Sequence, residues 1–72
     1  MKLTVRLETL ILMGVKAAGS YDESKALGFV EEQMTPREFT VAVKFLKWIV
    51  ANKLTFDRRN IRERFQQFKT AE

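Results

Sequence analysis

The stretch Thr35-Pro36-Arg37-Glu38, together with the "FTVAVKFLKWIVAN" that follows it, constrains the fold more than any other part of the chain. Threonine ahead of a proline, with glutamate at the third helical position, is a capping box. The threonine hydroxyl accepts the glutamate N–H, the glutamate carboxylate accepts the threonine N–H, and proline fills a first-turn position that needs no donor. Met34 can staple onto Phe39 across this cap. A helix is therefore expected over residues 36–52. At about 100° per residue its apolar side chains cover an arc of about 220°, too wide for one ordinary buried face. Phe39, Val43, Leu46 and Val50 form one stripe and Val41, Phe45 and Trp48 another, with Ala42 and Ile49 between them. Only Arg37, Thr40, Lys44, Lys47 and Ala51 are left for a polar strip. Such a helix either sits at the centre of a bundle or commits one stripe to another molecule. The central position is the favoured expectation; Val41, Phe45 and Trp48 are the interface candidates under the other.

The flanking segments are helical as well. Leu3, Leu7, Leu10, Gly14 and Ala18 recur at helical spacing and predict a first helix over 3–18, although the opening "KLTVRLE" also alternates as a strand would. Val5 and Leu12 fall outside its apolar stripe. Gly19 ends this helix, and Ser20-Tyr21-Asp22-Glu23 matches a second capping box, predicting a surface helix over 21–34. Asp57 can cap a fourth helix over 57–69, with Phe56 stapled to Ile61 and with Ile61, Phe65 and Phe68 on its buried side. No repeat or linker divides the chain. The expectation is one all-α domain over 1–72, a compact bundle of four helices with the third at its centre.

A 72-residue chain buries only about 60% of the surface that its unfolded form exposes, so stability has to come from dense packing, a metal, disulfides or a partner subunit. The sequence contains neither cysteine nor histidine, which removes disulfides and the usual zinc ligands together. It also removes the commonest general base and the best thiol nucleophile. The glycines at 14, 19 and 28 are isolated and form no phosphate loop. No catalytic activity, metal or cofactor is expected. The N-terminal apolar run, Leu10 to Val15, is shorter than the roughly 7 to 15 residues of a signal-peptide core, and no segment approaches the ~20 that span a bilayer. A cytoplasmic protein without membrane attachment is the expectation, and a homodimer is one way to supply the missing packing.

Net charge is +4, and it is unevenly distributed. Residues 1–34 carry four basic and five acidic side chains, residues 35–72 nine and four, so the basic character belongs to the C-terminal half. Its densest part is "DRRNIRER". Arginines in the first turn of a helix oppose the macrodipole, which costs roughly 0.3 to 1 kcal/mol each, so stability alone does not explain them. On a helical wheel Arg58, Arg62 and Lys69 lie within about 40°, with Arg59 and Gln66 beside them, next to the Ile61/Phe65/Phe68 stripe. From there guanidinium groups can bracket phosphates, and Arg58 and Arg59 lie near the free donors of the helix start. The bland alternative is a solvated basic face in which Asp57 offsets the charge and Glu63 pairs with Arg59.

The function expected from these features is a small non-enzymatic regulator that binds nucleic acid, or another polyanion, through its C-terminal helix. Helices three and four would act as a helix-turn-helix-like pair, with Arg58, Arg59, Asn60, Arg62, Gln66 and Lys69 as the contact residues. The link between them lacks the glycine and the tight turn usual in that motif. The competing expectation is a protein-interaction module, an inhibitor or adaptor, anchored on Val41, Phe45 and Trp48.

Overall fold

The computed structural model describes residues 2–71, which form four α-helices: α1 (Val5–Ala18), α2 (Glu23–Ala26), α3 (Pro36–Ala51) and α4 (Ile61–Ala71). Two 3-10 turns, Leu27–Phe29 and Glu31–Gln33, follow α2, and no strand is present among the described residues. The ambiguous N-terminal segment is helical because Thr4 caps it: its hydroxyl accepts the Leu7 N–H at 3.1 Å. Gly19 ends α1 in the left-handed region at φ 63, and the Ser20 N–H reaches back to the Val15 carbonyl.

The second helix is far shorter than the 21–34 expected. Asp22, not Ser20, caps it. The Asp22 carboxylate accepts the Ser24 and Lys25 N–H groups at 2.9 and 3.3 Å, while the Ser20 hydroxyl accepts the Asp22 N–H at 3.0 Å. After Ala26 the chain tightens into 3-10 turns. Glycine at 28 lowers α-helical preference by about 1 kcal/mol, and the three-residue period still aligns Leu27 and Val30, both buried. Phe29 is left 60% exposed. α1 and α2 meet backbone to backbone at Gly14, where an added Cβ would lie 2.4 Å from the Ala26 carbonyl oxygen.

α3 starts as the sequence requires. Thr35 Oγ1 accepts the Glu38 N–H at 3.2 Å, and the Thr35 N–H donates to Glu38 Oε1 at 2.9 Å. Ala42, Phe45, Leu46 and Ile49 are fully buried along it, which places α3 in the middle of the core. The Phe45 ring lies 5.4, 5.3 and 5.6 Å from those of Phe56, Phe65 and Phe68. Phe45 is therefore a core residue and not an interface anchor: it has no surface left to offer a partner. Val41 and Trp48 are half-buried, with Trp48 5.9 Å from Phe68. Val50, on the same stripe as Leu46, is half exposed, whereas Ile49 beside it is fully buried. Lys53, at φ 54, takes the left-handed position after the helix. Its N–H donates to Val50 O, and the Leu54 N–H donates to Ile49 O.

The segment 52–60 connects α3 to α4 and is pinned by Tyr21. The Tyr21 hydroxyl donates to the Phe56 carbonyl at 2.9 Å and accepts the Phe56 N–H at 3.2 Å, with the two rings 5.0 Å apart. The connection between α3 and α4 is longer than the three- or four-residue turn usual between the helices of a helix-turn-helix-like pair. α4 also begins at Ile61 rather than near Asp57.

Candidate polyanion interface

The local geometry before α4 decides which arginines are free. Asp57 Oδ1 accepts the Arg59 N–H at 2.8 Å, Asn60 Oδ1 accepts the Asp57 N–H at 2.7 Å, and the Ile61 N–H reaches Asp57 O at 3.0 Å. Residues 57–60 thus form a closed turn. Arg58 and Arg59 lie in that turn and not in the first turn of the helix. Arg59 folds back so that its Nη2 lies 3.0 Å from Asp57 Oδ2, and the pairing expected with Glu63 is not made. The hydrogen bonds from the Arg59 guanidinium and then from its N–H hold the Asp57 carboxyl below its usual range. Arg64 is also engaged, donating from Nε to Thr55 O at 3.0 Å and from Nη1 to Gln67 at 3.1 Å. Asn60 spends its side-chain oxygen on the turn and is half-buried.

Arg58 and Arg62 have a different setting, along the line where α4 passes α1. Arg58, Lys16 and Asp57 flank a groove of about 320 Å³ lined further by Leu12, Val15 and Phe56. One step along, Arg62 Nε lies 3.0 Å from Glu8 Oε2. Beyond that pair, Lys2, Arg62, Gln66 and Lys69 surround a second groove, of about 280 Å³, with Leu3 and Phe65 beneath. α1 is met in the order 16, 8, 3 as the C-terminal segment is met in the order 58, 62, 69, so the two pass antiparallel. The seam between them carries Lys16, Arg58, Arg62, Lys2 and Lys69, all exposed. Of these, only Arg62 has a side-chain hydrogen bond or ion pair among the described residues.

Glu8 is one of two buried acidic residues among those described; Glu38 is the other. Glu38 serves the α3 cap and lies 3.4 Å from Arg6 Nη2, which also donates to the Gln33 carbonyl. Glu8 has no such local duty. Its Oε2 accepts no hydrogen bond, so its contact with Arg62 is ionic.

The six residues expected to contact nucleic acid are therefore divided. Arg58, Arg62, Gln66 and Lys69 lie along the seam, whereas Arg59 and Asn60 serve the Asp57 turn. Sequence reasoning missed Lys2, Lys16 and Glu8, because counting charge by halves assigns them to a neutral segment. No local pattern links them to α4; only the antiparallel passage does. Among the described residues no group of three acidic side chains could hold a metal ion, and no helix is long and apolar enough to cross a membrane. The chain matches no known family, no curated protein and no solved structure.

Proposed function

We propose that the protein is a non-enzymatic nucleic-acid-binding regulator that grips the phosphate backbone along the α1–α4 seam. One observation carries this reading: five cations, drawn from both ends of the chain, converge on two grooves and face two carboxylates, the buried Glu8 and Asp57, the latter already paired with Arg59. The antiparallel seam spans residues 58 to 69, a length of roughly 15 to 20 Å at a helical rise of about 1.5 Å per residue. That length suits two or three successive phosphates of one strand. Gln66 is the exposed side chain on the seam with amide geometry for a base edge, so contact should rest on backbone charge more than on sequence. Arg37, Lys44 and Lys47 make a rival basic strip on α3, but they lie on one helix and line neither groove. The competing reading, a protein-interaction module on α3, has less support because Phe45 is fully buried.

Titration of the protein with mixed-sequence DNA and RNA duplexes at rising salt tests the reading. For B-DNA the slope of log K against log salt should be about −2 to −3, which corresponds to two or three phosphates neutralised. Failure of the wild-type protein to bind either duplex at low salt would refute it.

A further inference from the structure

We infer that Glu8 is a positioning residue that presents Arg62 to a backbone phosphate, an inference that rests on the nucleic-acid reading above. The Glu8 side chain is 9% exposed and the Arg62 side chain 62%, so a buried carboxylate anchors a guanidinium whose remainder stands in solvent. The contact uses Nε, at 3.0 Å. A guanidinium is planar, with its two terminal nitrogens on the edge directed away from Nε. Nη1 and Nη2 have no hydrogen bond or ion pair among the described residues, and Arg62 lines the groove shared with Lys2 and Lys69. That edge offers two parallel donors at the spacing of two phosphate oxygens.

Glu8 lies in the first turn of α1, where the helix dipole favours negative charge, and α1 is fixed by Thr4 at one end and by the Gly14–Ala26 contact further along. The carboxylate is therefore a rigid anchor. An arginine held this way gives up less conformational freedom when phosphate arrives. The arrangement has an electrostatic disadvantage, since Glu8 removes one unit of positive charge from the seam. Charge alone and positioning thus make opposite predictions for the removal of that carboxylate.

The experiment compares wild type, Glu8→Gln, Arg62→Lys, Arg62→Ala and Glu8→Gln/Arg62→Ala, each titrated with one mixed-sequence DNA duplex across a salt series, with folding followed by circular dichroism. Glu8→Gln should bind several-fold more weakly although its net charge is more positive by one, and its salt slope should shrink by about 0.9, the share of one phosphate. Arg62→Lys, which alters an exposed side chain and keeps the charge, should show a similar loss even if Glu8→Gln folds poorly. Adding Glu8→Gln to Arg62→Ala should cost no further binding. Tighter or unchanged binding by folded Glu8→Gln, or wild-type affinity in Arg62→Lys, would overturn the positioning role while leaving the function reading in place. A wild type that binds no duplex would remove both.

Discussion

The two flanks of α4 are built on different principles. Toward α3, Phe65 and Phe68 are 3% and 5% exposed and meet Phe45 and Trp48 ring against ring. Toward α1, the same helix presents Arg62, Gln66 and Lys69 over open grooves, tied down by one ion pair. The aromatic flank gains free energy by excluding water, with each off-parallel ring pair adding roughly 0.5 to 1.5 kcal/mol beyond burial. The basic flank gains little, because partly exposed ion pairs contribute about 0 to 1 kcal/mol. A chain selected for stability alone would have closed both flanks alike. The α3 flank holds the helix in place, and the α1 flank is left open to solvent.

Substitutions that separate the two flanks should differ in size and in kind. Phe45→Ala should have the largest effect, about 3 to 5 kcal/mol, because the ring is fully buried among three others. A domain of this length has roughly 4 to 10 kcal/mol in all, so urea unfolding should show most of the cooperative transition lost. Gly14→Ala comes next, at about 1 to 3 kcal/mol, since its Cβ would collide with the Ala26 carbonyl and force α1 away from α2. Because α1 carries Glu8 and Lys16 and continues from the segment that holds Lys2, that variant should also lose duplex affinity, unlike a purely local core defect. Arg62→Ala should cost about 1 to 2 kcal/mol of stability, because its own side chain is mostly solvated but the buried Glu8 carboxylate loses its partner, and should weaken duplex binding several-fold. Equal losses of stability and of binding across these three variants would erase the distinction between the flanks.

The smallest effect concerns the turn that precedes α4. The Asp57 carboxyl is held below the usual carboxylate range by the Arg59 side chain and N–H, so its contribution to stability is present above the unfolded-state value. That contribution is lost as pH falls through the lower folded-state value, in a window below about pH 4. The stability difference between wild type and Asp57→Asn should be constant through the neutral range and shrink below about pH 4; a constant difference throughout would show that the ionised carboxylate is not what closes the turn.

Elements set by neighbouring residues were legible in the sequence. Thr35, Pro36 and Glu38 specify the start of α3 within four positions, and the width of its apolar arc identified the central helix. Two local expectations failed because similar signals competed. Asp22 won the cap from Ser20, and Gly28 let 3-10 turns replace the α-helix once Leu27 and Val30 could be buried either way. At the start of α4, Asp57 does accept a backbone hydrogen bond, but Asn60 reaches back to it and closes a separate turn. The candidate site was only half legible. Arg58, Arg62, Gln66 and Lys69 can be placed together from helical periodicity, whereas Lys2, Glu8 and Lys16 join them only through long-range packing.

Backbone amide chemical shifts recorded while a DNA duplex is added at low salt test the central claim most directly. The account predicts shifts concentrated at Lys2, Leu3, Lys16, Arg58, Arg62, Gln66 and Lys69, with Arg37, Lys44 and Lys47 on α3 unmoved. Shifts centred on the α3 strip, or none along the α1–α4 seam, would contradict it.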